Sequence, residues 1–329
     1  MNPILSVCIP TYNRAEYLSE TLDHAIIAIA GNWGKVELLI SDNASNDNTS
    51  EVVTEYQKIY PMIRYHRNLQ NMNDENFLIA SNLAKGKYVW LLGDNRVLLK
   101  DSIDRIIDEL DKGWNVAIVN YSLYSNNEGR IVKGKCYNEN DNLVFRNHNK
   151  TMSYFGIDMG HISQVIFRKD LVEKTSLNEY DECVSSGWSF LYLIYRGIYN
   201  NANIIFLKKI FYIKKFTIIN NDWSKPFVSG SSYILHKLRK DGYSYFAIKR
   251  ARNRVVRYCI IPLIIYDKLN YREIKWSVFT IFKEYYTSVY FWVFCLPILI
   301  LPRYAISELV NFRNFYNKAR DIQTDIDMN

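Results

Sequence analysis

"ILSVCIPTYNRAEYLSETLDHAIIA", residues 4–28, decides the fold. Residues 4–10 are a short run rich in β-branched side chains, and after residue 13 the apolar spacing changes from continuous to helical. Leu18, Leu22, Ala25, Ile26 and Ile29 share one helical face, with Asn13 and Glu16 spaced as a capping box at its start. The stretch therefore predicts strand, loop, helix. The pattern recurs downstream. "VELLIS" (36–41) is a second strand, "DNASNDNT" a polar turn and "SEVVTEYQKIY" a second helix; "IRYHRN" is a third strand, "NFLIASNLAKG" a third helix and "KYVWLLG" a fourth strand. Continuous apolar strands joined through helices predict an α/β fold with a mostly parallel sheet and helices on both faces. In such sheets ligands bind beyond the carboxyl ends of the strands. Polar clusters fall at those ends: Thr11 to Arg14, Asp42 to Asn48, Arg67 with Asn68, and Asp94 to Arg96.

The chain has 329 residues, more than one domain of ordinary size holds, and its 48% hydrophobic content predicts a full core. Five scattered cysteines without a C-x-x-C pair argue against a disulfide framework and a zinc site. With no basic stretch leading into an apolar signal segment after Met1, the expected location is the cytoplasm. Charge divides the chain unevenly: residues 1–203 carry a net −5, residues 204–320 a net +15 and the last nine a net −3. The expected division is a domain over 1–205 and a basic, aromatic, mainly helical region over 206–329. A basic region implies an anionic partner, either nucleic acid or membrane headgroups. The apolar runs "CIIPLIIY" (259–266) and "VYFWVFCLPILILP" (289–302), flanked by Arg257, Lys268, Lys283 and Arg303, favour lipid. Both are shorter than the ~20 residues of a spanning helix and are interrupted by Pro262, Pro297 and Pro302, so interfacial insertion is expected rather than crossing. A buried helical hairpin is the alternative.

No Gly-rich G-x-G-x-x-G or P-loop follows the first strand, so phosphates must be met in another way. "PTYNR" (10–14) offers a rigid backbone and an aromatic ring for a flat base, and the Asp42 carboxylate can accept from a base N–H, the N3–H of uracil or the amine of cytosine.

Together "LSVCIPTYNRAEYLSETL", "ELLISDNASNDNT" and "RYHRNLQNMNDENFLIASNLAKGKYVWLLGDN" resemble the donor domain of bacterial family 2 glycosyltransferases, over about the first 100 residues. Within that family the chain is most similar to O-antigen sugar transferases of the abequosyltransferase type. The resemblance implies a GT-A fold, a Rossmann-like sheet, and transfer of a sugar from a nucleoside-diphosphate sugar. It implies nucleotide contacts from Pro10, Thr11, Tyr12, Asn13, Arg14 and Asp42, with Asn68 and Asp94 near the ribose and diphosphate. Asp94, Asn95 and Arg96 occupy the family's D-x-D position, where carboxylates meet a divalent metal, Mg²⁺ or Mn²⁺, and the diphosphate.

Two departures qualify this. Arg96 stands where many members carry their principal metal ligand, which leaves Asp94 as the metal residue and puts metal use in question. If a strand continues through Asn95, Asp94 and Arg96 point to one side and reach one diphosphate. The acidic pair that many members carry before a helix, whose carboxylate deprotonates the acceptor, corresponds here to Ser185 and Ser186. The nearest carboxylates, Asp181 and then Glu182, are the expected general base, with His161 third. The family's mechanism is a single displacement with inversion at the anomeric carbon. Residues 120–160, with Tyr121, Tyr124, Tyr137, Tyr154 and Phe155, are expected to form the acceptor cleft. A lipid-linked saccharide acceptor at the inner membrane surface would give the basic region its purpose. The alternatives are a nucleotide-binding scaffold without catalysis and a nucleic-acid-binding protein; no recognised motif supports the second, so no nucleic-acid partner is expected.

Overall fold

The structure is a computed structural model and describes residues 2–126, 128–173, 183–184, 186–216, 226–270 and 278–311. Strand β1 (Leu5–Thr11), helix α1 (Ala15–Ile29), β2 (Val36–Asp42), α2 (Thr49–Ile59), β3 (Arg64–Arg67), α3 (Glu75–Leu83) and β4 (Tyr88–Leu91) follow the expected alternation. They pair in parallel in the order β3-β2-β1-β4. Right-handed crossovers place α1 and α2 on one face as the chain moves outward. The return through α3 puts that helix on the other. The faces follow from period-two side chains: Leu5, Val7 and Ile9 pack with Leu18, Leu22 and Ala25 of α1, while Cys8 and Leu39 pack with Ala80 of α3. Chain direction across the sheet therefore reverses between β1 and β4.

Beyond β4 the sheet is mixed. Short β5 (Arg96–Leu98) and α4 (Ser102–Leu110) precede β6 (Val116–Ser125), β7 (Arg130–Lys133), β8 (Leu143–Phe145), α5 (His148–Phe155) and β9 (Val165–Arg168). β9 lies antiparallel between β4 and β6, so parallel pairing dominates only the N-terminal half. After α6 (Asp170–Glu173) and α7 (Ser189–Ile198), β10 (Ile204–Phe216) pairs in parallel with β6 and antiparallel with β5. β10 straddles the division expected at residue 205.

The capping box expected at the start of α1 does not form. Asn13 adopts φ 51° and its side chain accepts from the Asn46 N–H, while the Ala15 N–H at the helix start donates to Asp47 from the loop after β2. The cap is thus tertiary.

The C-terminal helices are α8 (Ser231–Lys240), α9 (Tyr245–Val255), α10 (Ile261–Leu269), α11 (Val278–Tyr285) and α12 (Leu296–Ile300). One face joins the core under α5 and α7 through Leu235, Ala251, Ile264, Ile281, Phe291 and Cys295. The other leaves Phe279 at 72% exposure, with Phe282, Tyr286, Trp292 and Phe294 also exposed. The layer is amphipathic, with one face in the core and one exposed. Lys268 donates to the carbonyls of Leu299 and Leu301, and Arg303 to that of Leu269, tying α10 to the turn after α12. Among the described residues no helix is long and apolar enough to cross a membrane.

One buried carboxylate locks the start of the sheet. Glu37 of β2 accepts from the Ser6 hydroxyl, the Lys85 N–H and, at 2.8 Å, Arg64. Gly86 comes so close that a Cβ there would lie 2.7 Å from the Ser6 nitrogen. Burial pushes the Glu37 carboxyl up, but the bonds from Ser6, Lys85 and Arg64 outweigh it and hold it below its ordinary value. A lowered folded value means stability that is present above about pH 4.3 and lost as pH falls through the folded value. Glu37→Ala should cost about 2–3 kcal/mol in urea unfolding at pH 7, through buried donors left without an acceptor. The difference from wild type should shrink as pH falls below about 4.3; a constant difference would show that the charge contributes nothing.

Candidate functional site

The switch in direction between β1 and β4 opens a crevice at their carboxyl ends, and the site is built there. Pro10 fits near the end of β1. Its nitrogen faces β4, whose last bond to β1 is Leu92 N–H to the Cys8 carbonyl, so the missing donor leaves no gap in the ladder. Thr11 then gives its hydroxyl to Asp94 at 3.0 Å, and Arg14 gives an Nη1 proton to the other carboxylate oxygen at 3.2 Å. Asp94 is 6% exposed. Burial raises its carboxyl above the ordinary aspartate value, against the pull of Arg14, Thr11 and Arg96. Tyr12 stands out from the same loop at 40% exposure, its ring open to a ligand.

The loops after β1 and β2 are stitched together. The Asn13 N–H donates to Ser45 at 2.9 Å, and Asn13 Oδ1 accepts from Asn46 at 2.7 Å. Asp42 is fully buried: Oδ1 accepts from the Ser45 N–H at 2.9 Å and Oδ2 from the Tyr65 hydroxyl at 2.7 Å, with Arg67 Nε at 3.4 Å. In this conformation Ser45 and Tyr65 satisfy the Asp42 carboxylate, with Arg67 alongside. Asn68, expected near the ribose or diphosphate, lies at the end of β3 and is buried. Its amide donates to Asn43 and Asn76, and Asn76 is tied in turn to Ser41. This buried amide network fixes the loops after β2 and β3.

The expected alignment of Asp94 with Arg96 is overturned. The chain turns at Asp94–Asn95 before β5 begins, so the two side chains diverge. Asp94 faces Thr11 and Arg14. Arg96, 7% exposed, turns back beneath Gly93: Nε donates to the Ser163 hydroxyl at 3.1 Å, Nη1 to Asn95 Oδ1, and Nη2 lies 3.4 Å from His161 Nε2. Asn95 donates to the Lys215 carbonyl and so joins the turn to β10.

The donor set does not fit a metal ion held by the protein. Both Asp94 oxygens accept hydrogen bonds, one from an arginine, a second cation stands at Arg96, and among the described residues no three His, Cys, Asp or Glu side chains cluster. An arriving cation would have to take Asp94 from Arg14.

Asp181, Glu182 and Ser185 lie outside the described residues. Ser186 shapes the turn into α7, donating to the Cys183 carbonyl and accepting from the Trp188 N–H. Burial, with Lys214 and Arg96 close by, holds the His161 imidazole well below the usual value. Two groups went unnoticed in the sequence. Asp74, before α3, shares a hydrogen bond with Ser189 at the head of α7, and burial raises its carboxyl to about 6. Lys214 of β10 reaches His161 Nε2 at 2.9 Å; its signal was a lysine pair inside the apolar run "FYIKKF". Of the expected cleft aromatics, Phe155 is fully buried in the core, whereas Tyr121 stacks on His161 with centroids 5.2 Å apart.

Residues 6–175 match the family model described as Glycosyl transferase family 2. Over 111 residues the chain is 42% identical to abequosyltransferase RfbV of Salmonella typhimurium, covering 33% of each chain. Over 186 residues it is 28% identical to the GalNAc(5)-diNAcBac-PP-undecaprenol beta-1,3-glucosyltransferase of Campylobacter jejuni, covering 54% of this chain and 55% of that one. The chain thus spans a third to about half the length of these curated relatives. Among solved structures, S. aureus TarS 1-349 superposes with a TM-score of 0.59 at 14% identity, over 81% of this chain and 77% of that one. The mannosyltransferase PcManGT from Pyrobaculum calidifontis, solved with GDP-Man and Mn²⁺, gives 0.57 at 13% identity, over 98% and 84%. These two likenesses bear on the fold, whose mixed α/β sheet is that of GT-A glycosyltransferases. With the family model covering more than half of its residues, the chain belongs to glycosyl transferase family 2.

Proposed function

We propose that this protein is a glycosyltransferase that moves a sugar from a nucleoside-diphosphate sugar to a hydroxyl of a lipid-linked oligosaccharide, in bacterial surface polysaccharide synthesis of the O-antigen type. The observation that carries this is the Asp94 carboxylate clamped by Thr11 and Arg14 in the crevice between β1 and β4, inside the segment matched by the family. Tyr12 offers a stacking face to the base. Arg14 and Arg96 supply fixed positive charge toward the diphosphate. The reaction is a single in-line displacement with inversion: the acceptor hydroxyl attacks the anomeric carbon, a carboxylate takes its proton, and the nucleoside diphosphate leaves with its added charge balanced by the cations. Asp181 and Glu182 are the proposed bases. Asp74 is a second candidate, because a carboxyl raised to about 6 at the head of α7 suits a base working near neutrality. Full turnover by Asp74→Asn would return the role to Asp181 or Glu182.

The lipid-linked acceptor draws on the Campylobacter relative, whose name specifies an undecaprenol-diphosphate-linked glycan. It also draws on the exposed aromatic face of α11 and the following segment, set in a region of net positive charge. That face is proposed to rest on the inner leaflet of the cytoplasmic membrane, with residues 206–329 as the membrane-facing part.

Three outcomes are expected. Asp42→Ala should weaken nucleoside-diphosphate binding by about 1.5–3 kcal/mol, since it releases Ser45, Tyr65 and Arg67 together and loosens the crevice wall; calorimetry showing unchanged affinity would remove Asp42 from the site. Wild-type transfer should persist in excess EDTA at more than about half its rate in Mn²⁺, because Arg14 already occupies the Asp94 carboxylate and Arg96 adds positive charge nearby. Complete loss in EDTA with full recovery in Mn²⁺ would make Asp94 a metal ligand after all. Full-length protein should sediment with anionic vesicles at low salt, and Phe279→Ser with Trp292→Ser should cut that binding by at least about tenfold. Indifference of the wild type to vesicles would assign the exposed face another role.

A further inference from the structure

β5 and β10 run antiparallel and set Lys214 directly opposite Arg96. Both cations point at one acceptor, His161 Nε2, with Lys214 Nζ at 2.9 Å and Arg96 Nη2 at 3.4 Å. The other ring nitrogen of His161 lies 3.4 Å from the Tyr212 hydroxyl, so a neutral imidazole with its proton on Nδ1 satisfies every contact. Tyr121 stacks on both His161 and Tyr212, with centroids 5.2 and 5.1 Å away, and forms a flat aromatic wall. The Arg96 guanidinium lies 5.9 Å from the Tyr212 ring centroid.

This arrangement opposes stability. Like charges facing each other across a sheet repel, and partly buried cations without a counter-charge cost more. Among the described residues neither Arg96 nor Lys214 forms an ion pair with a carboxylate; their partners are neutral hydroxyl, amide, carbonyl and imidazole groups. Asp94, the adjacent acid, gives its oxygens to Thr11 and Arg14. Burial, with Arg96 adding to it and Cys136 opposing, lowers the Lys214 ammonium to about 7. A cationic pair held against this cost is what an arriving anion would satisfy. Lys214 and His161 keep part of their surface open to receive one. The pair begins two residues beyond Asp94, and Arg96 is near enough to pull on that carboxylate.

We infer that Arg96, Lys214 and His161 form an anion subsite for the diphosphate of the sugar donor, with Lys214 and Arg96 as its two donors and His161 as the neutral spacer between them. This rests on the glycosyltransferase reading above, and the geometry gives Lys214 a binding role that its distance in sequence from the D-x-D position conceals.

The test uses full-length protein and Lys214→Met, which keeps length and removes charge. Calorimetry is run with UDP, CDP, GDP and dTDP and with the four matching nucleosides, beside thermal unfolding without ligand. The nucleoside diphosphate that binds wild type should bind Lys214→Met about tenfold or more weakly, while the matching nucleoside binds both alike. The ligand-free melting temperature should stay level or rise, since a repulsive cation has gone. Lys214→Arg should recover most of the diphosphate affinity. A purely structural lysine would instead lower the ligand-free melting temperature and weaken nucleoside and diphosphate equally, and that result overturns the inference. Unchanged diphosphate affinity in Lys214→Met overturns it while leaving the donor reading intact; a wild type that binds none of the four diphosphates overturns both. Lys214→Gln replaces Lys214→Met if the latter does not fold, with the same outcomes.

Discussion

The Asp94 carboxylate is the tie on which the arrangement of the crevice depends. β1 and β4 are neighbours in the sheet, but their chains leave it in opposite directions, and beyond Cys8 and Leu91 no ladder pair holds them. Thr11 and Arg14 from one strand end close on Asp94 from the other, and the Leu92 N–H closes the last backbone bond. Burying a carboxylate costs several kcal/mol unless charge and hydrogen bonds compensate it, and these two partners come from a single turn. The turn is held in its own place by Asn13, whose left-handed backbone lets it bond Ser45 and Asn46. The loops after three strands thus depend on one another, with Asp94 bringing in the fourth.

The same turn decides what Arg96 does. Had the strand run straight through Asn95, the arginine would have met Asp94 and cancelled its charge. Turning at Asp94–Asn95 sends the two charges apart, the acid toward α1 and the guanidinium toward Ser163 and β10. Gly93 permits this, since a Cβ there would lie 3.3 Å from the Arg96 guanidinium carbon and from the Ser163 hydroxyl. One short loop therefore feeds two separate electrostatic environments.

How far the sequence foretold this depends on whether a feature is local. Strand, loop and helix over residues 5–29 were readable because the apolar period changes within one continuous segment. The clustering of polar loops followed, because parallel crossovers bring strand ends of like sense to one edge. The roles of individual residues were less readable. That Asn68 fastens Asn43 and Asn76 was not readable, since a buried amide finds its partners only once the loops are packed. The cap of α1 came from Asp47 because loop packing overrode local spacing. Lys214 was hidden by topology: β10 enters the sheet beside β5 more than a hundred residues beyond Arg96. The C-terminal runs gave both a core and a surface reading because their helices carry apolar residues on two faces, and periodicity cannot rank them.

The polar groups around the crevice fall into two electrostatic halves. Around the ends of β2 and β3, neutral amides do most of the bracing, and the charged groups there, Asp42 and Arg67, lie 3.4 Å apart and offset each other. Around β4, β5 and β10, Arg14 pairs with the buried Asp94, while Arg96 and Lys214 face each other across the sheet beyond the turn. A rigid neutral wall meeting a positive wall favours a ligand with an uncharged planar end and an anionic end, and it fixes which end goes where before binding. Because amide bracing adds no net field of its own, the gradient comes almost wholly from the second wall. Orientation of a ligand and stabilisation of charge that develops at its anionic end would then have one physical source.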